Sequence, residues 1–166
     1  MAPDTVGTAL LMADSPREPH RLAGYLSAMG IYGTSIAAAS LLGRRRGHTL
    51  PEEYAVRDVV LGMAATHKLT RIISKDGVTT PLRAPFTRFE ENAGSAEVNE
   101  VPKEGHVRHA AGELLSCPFC LAPWIAASYV ATLAVSPRLA RAWATTFTIV
   151  GGSDWLQHAY ARVRSD

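Results

Sequence analysis

The sequence is poor in what most recognisable chemistries require. It has two cysteines in 166 residues, Cys117 and Cys120, too few for a disulfide scaffold, so packing, metal or redox chemistry must explain their spacing. A net charge of +2 and a pI of 8.7 are too mild to indicate a nucleic-acid partner. There is no P-loop, dinucleotide fingerprint, HExxH pair or nucleophile elbow. The most informative absence is local. No charged residue occurs from Leu22 to Gly43, nor between Glu113 and Arg138. A mean hydropathy of +0.02 therefore averages two different materials, apolar runs and a polar, basic middle.

Each charge-free run matches the roughly 20 residues a helix needs to cross about 30 Å of hydrocarbon. Leu22–Gly43 is bracketed by Arg21 and Arg44-Arg45-Arg46, and Gly30, Gly33 and Ala37 give it a small-residue face suited to a partner helix. A buried soluble helix is the alternative for this run, and a cleaved signal peptide is a weaker one because the run exceeds the usual h-region. The second run covers Leu114–Val135, where Pro118 and Pro123 predict a kink beside both thiols.

Pro51-Glu52-Glu53, with Thr49 as N-cap, predicts a helix from about Glu52 to Lys75 that either spans at a tilt or lies in the interface. Residues 76–106 read as a long loop broken by prolines and glycines, with short strands at Val78–Leu82 and Ala96–Val101. A last helix runs from about Arg138 to Arg162, with Trp143, Trp155 and Tyr160 as interface markers. Asp154 lies within it, and His67 and His158 are its candidate partners.

These elements make an all-α fold: a small polytopic helical membrane protein with three to four transmembrane helices and a long cytoplasmic loop. Its divisions are a flexible tail over 1–21, an additional transmembrane helix over 22–43, and a membrane domain over 52–162 containing loop 76–106. Lysine and arginine placement puts that loop and both thiols on the cytoplasmic side of the plasma membrane. Partners are the lipid bilayer and a membrane-protein partner or second copy, joined at the small-residue face.

Cys117 and Cys120 sit at the spacing of half a zinc site, which His106 and His109, or the same pair in a second subunit, would complete. Zinc is thus the one cofactor the sequence offers ligands for. CPFC also resembles the CPxC of glutaredoxin-like enzymes, in which a helix N-terminus lowers the thiol pKa; those enzymes place a strand before the motif, and here a helix precedes it. The third reading is packing of two small polarizable residues at a kinked helix interface.

Three linked stretches carry a resemblance. Ala65–Phe86, Val101–Gly105 and Gly112–Trp124 resemble a bacterial membrane-protein family known only as a domain of unknown function, number 1360, which includes a small sporulation protein. The family pattern is a hydrophobic helix, R-L-T-R-L-I-x-x-D, a proline-arginine loop, then G-E-L-L-S/T-C-x-x-C-x-G-x-W. Arg71, Asp76, Arg83, Glu113 and Trp124 fill its motif positions. Lys68 stands where the pattern has Arg, and Ala122 where it has Gly. The resemblance covers about Tyr54–Tyr160, leaving the first helix as an addition. It implies that the second helix is membrane-embedded. The sequence as a whole reads as a non-enzymatic structural or interaction component of a bacterial membrane assembly, with sporulation as the setting the resemblance offers; the alternative is a membrane thiol or metal-binding protein using Cys117 and Cys120.

Overall fold

The computed structural model describes residues 18–164. Helix α1 spans Glu18–Arg45 and α2 spans Val56–Ser74. A 3-10 turn at Gly77–Thr79 leads into the short α3, Thr80–Arg83, followed by strands β1, Thr87–Gly94, and β2, Glu97–Pro102. Three helices complete the chain: α4, His106–Ser116; α5, Pro118–Val135; and α6, Pro137–Arg164. The fold is mostly helical, and the all-α expectation is corrected by one antiparallel hairpin. The tail expected over 1–21 falls outside the described residues up to position 17, and the chain is already helical from Glu18.

Helix boundaries follow local chemistry. The expected start of α2 at Glu52 is not observed: Ala55 is extended (φ −61°, ψ 137°) and Asp58, not Glu52 or Glu53, supplies the acidic side chain of the first turn. Between α4 and α5 the chain breaks rather than kinks. Pro118 disfavours helical geometry at the residue before it, so Cys117 is extended (φ −110°, ψ 109°) and becomes the N-cap of α5 with Pro118 in the first turn. Pro123 stays inside α5. Val78–Leu82 is not a strand but the 3-10 turn and α3, where Pro81 occupies a helix-compatible first-turn position. The first strand forms later, and Gly94 (φ +124°) with Ala96 (φ +65°) closes the hairpin turn.

Helices α2, α5 and α6 form the bundle. Its small core is Ala65, Tyr129, Leu133, Ala140 and Ala144, with Leu61, Trp143 and Phe147 packed against it. Trp143 is half-buried against this core: its ring meets Tyr129 edge-on at 5.3 Å and Phe147 at 6.2 Å. Gly62 lets α2 approach α5, since a β-carbon there would lie 2.5 Å from the Tyr129 ring. Asp58 and Arg141 pair near the starts of α2 and α6, and Lys68 and Asp154 pair further along both, so these two helices run parallel. Tyr129 Oη donates to the Asp58 carbonyl at 3.0 Å, tying α5 to the same end.

Helix α1 lies along α4 and α5. Its Gly24 would bring a β-carbon within 3.2 Å of Ala110, and its Tyr32 meets Trp124 edge-on at 5.0 Å. These two contacts place the first half of α1 against α4 and the start of α5. Gly30 and Gly33 point elsewhere: among the described residues, nothing beyond the local helix backbone lies within 4 Å of a β-carbon added at either. Two helices, α1 over Leu22–Arg45 and α5 over Pro118–Val135, are long and apolar enough to cross a membrane by length and composition.

Candidate functional site

Three of the motif residues, Arg71, Asp76 and Arg83, converge where α2 ends and the hairpin begins. Any helix leaves its last carbonyls without intrahelical partners. Here Arg83 supplies the donors: its Nη1 donates to the Ile73 carbonyl at 2.6 Å and its Nη2 to the Asp76 carbonyl at 3.1 Å. The same guanidinium grips Glu100 on β2 through Nε–Oε2 (2.8 Å) and Nη2–Oε1 (3.1 Å). Thr79 Oγ1 accepts from Nη1 at 2.6 Å, and the Thr87 hydroxyl donates to Glu100 Oε2 at 2.6 Å. Arg83 is 0% exposed and Glu100 8%, so the charges are both buried and fully bonded.

Around this centre lies a second layer of pairs. Arg71 holds Glu97 with three contacts of 2.6–3.1 Å, and Lys75 Nζ donates to Asn99 Oδ1 at 3.2 Å. The spacings explain the match. Four residues of helix advance about 6 Å and two residues of strand about 6.8 Å, so Arg71 and Lys75 meet Glu97 and Asn99 in step. Backbone bonds extend the contact: Val98 N–H donates to the Lys75 carbonyl and Gly77 N–H to the Ala96 carbonyl, both at 2.8 Å. Lys68 reaches Asp154 on α6 at 2.7 Å and lies 3.7 Å from Asp76. Asp154 is thus met by Lys68, not by the histidines expected from sequence. Helix α4 completes the floor, with Gly112 buried against Phe86 and Pro102.

Burial alone would push the Glu100 carboxyl up, but hydrogen bonds from Arg83 and Thr87 outweigh it and hold the group below the usual carboxylate range. A depressed folded-state pKa gives stability that is present above the unfolded-state value and lost as pH falls through the folded one. Acidification from neutral is therefore expected to leave the docked hairpin intact through the ordinary carboxylate range, about pH 4–5, and to release it only below. Hydrogen exchange of β1 and β2 against pH measures this, and in Glu100→Gln the low-pH release should be absent, because the hairpin is already loosened at neutral pH.

The sequence-predicted residues do not all share one place. Arg71, Asp76 and Arg83 belong to the polar centre just described. Glu113 pairs with His109 one helical turn earlier at 3.3 Å, and Trp124 fixes α1 through Tyr32. The thiols form a separate place at the α4–α5 break. Cys120 is exposed and Cys117 half-buried, and their sulfurs lie 2.7 Å apart. The four-ligand zinc set is not assembled: among the described residues, no group of three or more His, Cys, Asp or Glu is arranged to hold a metal ion. His109 is engaged with Glu113, on the helix before the break.

Sequence reasoning missed Glu97, Glu100 and Thr87 as partners of the motif arginines. The available signal was the two-residue alternation of Glu97 with Asn99 on a strand following a helix with Arg71 and Lys75 one turn apart. It also missed the Asp58–Arg141 pair, 2.8–2.9 Å and bidentate, because nothing local links positions 83 residues apart.

Residues 60–160 match the family described as "Protein of unknown function (DUF1360)". A similar protein is the "Sporulation protein YjcA" of Bacillus subtilis (strain 168), 32% identical over 111 residues that cover 60% of this chain and 93% of that protein. No solved structure matches. The matched range holds the polar centre and both thiols, whereas α1 lies outside it.

Proposed function

The chain belongs to this family of unknown function, and from its build we propose that it is a multi-pass bacterial membrane protein serving as a non-enzymatic structural component of a membrane assembly. The observation that carries this reading is an inverted burial pattern. Buried polar or charged residues (Asp58, Thr70, Ser74, Arg83, Thr87, Glu100) are as numerous as buried apolar ones, while Leu22, Leu26, Met29, Ile31, Val59, Met63 and Ile149 stand exposed. In water this arrangement would leave a large apolar surface uncovered and is disfavoured. In lipid it is the expected one, because hydrocarbon solvates the outer side chains and helices associate through packing and polar contacts.

Four spans then run alternately. Helix α1 leaves the cytoplasm, α2 returns, the hairpin and α4 lie inside, α5 leaves and α6 returns. Support comes from the helix directions and from the basic residues collected at the hairpin end, Lys68, Arg71, Lys75, Arg83, Arg88, Lys103 and Arg108. The hairpin is held by the buried Arg83–Glu100 pair from α3 and the part-exposed Arg71–Glu97 pair from α2, which suits a platform better than a moving gate. The unpacked small-residue face of α1 suits a second membrane helix, from a partner or another copy. A sporulation role is carried over from the named relative alone.

After cell lysis the protein is expected in the membrane pellet, resistant to alkaline carbonate and released by detergent. A membrane-impermeant maleimide should label Cys120 only after permeabilisation. Recovery in the detergent-free supernatant would defeat the membrane reading, and labelling of intact cells would reverse the orientation.

A further inference from the structure

The two thiols are not absorbed by the polar platform, and their geometry has a chemistry of its own. Cys117 is the N-cap of an 18-residue helix, and its sulfur accepts a hydrogen bond from the Cys120 backbone N–H at 3.3 Å. The positive end of the helix dipole and that bond are both directed at the Cys117 sulfur. Pro118 fixes the first turn, so Cys120 is carried round to face Cys117, and the sulfurs meet at 2.7 Å. Cys120 is exposed and Cys117 partly so, giving a small co-reactant access.

We propose that Cys117 and Cys120 form a reversible dithiol–disulfide couple that exchanges with low-molecular-weight disulfides. The Cys117 thiolate attacks a disulfide RSSR, forming Cys117–S–S–R and releasing RS⁻, which takes up the proton lost by Cys117. Cys120 then gives up its proton and attacks the Cys117 sulfur. The Cys117–Cys120 bond forms, the mixed disulfide breaks, and a second RSH leaves. Two electrons and two protons pass from the protein to RSSR, and excess RSH reverses both steps. Packing alone does not account for this arrangement. Two thiols serving only as small apolar fillers have no need to face one another at an accessible helix start.

The test uses the full chain in detergent, equilibrated in graded ratios of oxidised and reduced glutathione, quenched with N-ethylmaleimide and weighed whole by mass spectrometry. A single transition is expected, from doubly alkylated protein to a species that carries no adduct and lacks two hydrogens. Both alkylation sites are lost together. Cys120→Ser should instead accumulate one glutathione adduct, on Cys117, severalfold faster than Cys117→Ser does on Cys120. Independent modification of the two thiols in the unsubstituted chain, or full alkylation at the most oxidising ratio, would overturn the proposal. Neither result depends on the side of the membrane or on the structural role.

Discussion

Replacing Arg83 by alanine is expected to lower stability by about 3–5 kcal/mol, the cost of leaving one partner of a buried ion pair unpaired. Glu100 would keep a carboxylate shielded from water, with the Thr87 and Thr80 hydroxyls as its remaining donors. The carbonyls of Ile73 and Asp76 would lose their contacts to the guanidinium at the same time. Arg83→Lys should recover only part of this loss, leaving a deficit of about 2 kcal/mol, because an ammonium cannot replace a planar fork that serves both Glu100 oxygens and two carbonyls. The double change Arg83→Met with Glu100→Leu is the informative comparison. It removes the stranded charge but not the orphaned carbonyls, so its stability should fall between those of the single alanine variant and the original chain. Thermal unfolding in detergent gives the magnitudes. Hydrogen exchange gives the place, with β1 and β2 losing protection first and the α2–α5–α6 bundle retaining it. Equal loss across the bundle would mean that Arg83 does not act locally at the hairpin.

Gly112→Ala should cost about 1–3 kcal/mol, although alanine is the better helix former, because overpacking a close contact outweighs propensity. The added β-carbon would lie 2.7 Å from the Phe86 carbonyl oxygen and 3.0–3.1 Å from Pro102. Phe86 O is backbone and is already bound by Lys103 N–H at 2.8 Å, so no side chain can swing aside. The base of the hairpin must lift from α4. Gly30→Ala is the control: among the described residues, nothing beyond the local helix backbone lies within 4 Å of the added β-carbon, and the change should be neutral or stabilising by up to about 1 kcal/mol. Unfolding midpoints of the two variants under identical detergent conditions decide the matter, and equal midpoints would show that the α4–hairpin contact is looser than the distances indicate.

Both substitutions probe contacts that the sequence indicated only in part. Arg71, Asp76, Arg83, Glu113 and Trp124 were identifiable as motif residues, but their partners were not. A strand at Ala96–Val101 was legible, close to the observed Glu97–Pro102, but not that Glu97 on one face meets Arg71 while Glu100 on the other meets Arg83. The thiols were recognisable as a pair from their spacing. Whether they joined His106 and His109 depended on the path at Pro118, and the extended Cys117 separates α4 from α5 there.

What the sequence by itself determined was the pair of charge-free segments and the family. The first follows from composition along a single stretch, where hydrophobicity and charge act without reference to distant residues, and the second from motifs that keep their order along the chain. The tertiary structure alone decided which charge meets which. The parallel course of α2 and α6, the docking of the hairpin through Arg83, and the separation of the thiols from the histidines depend on packing among distant segments. Ion pairs and close glycine contacts form only when those segments are already held together, and no local periodicity records them.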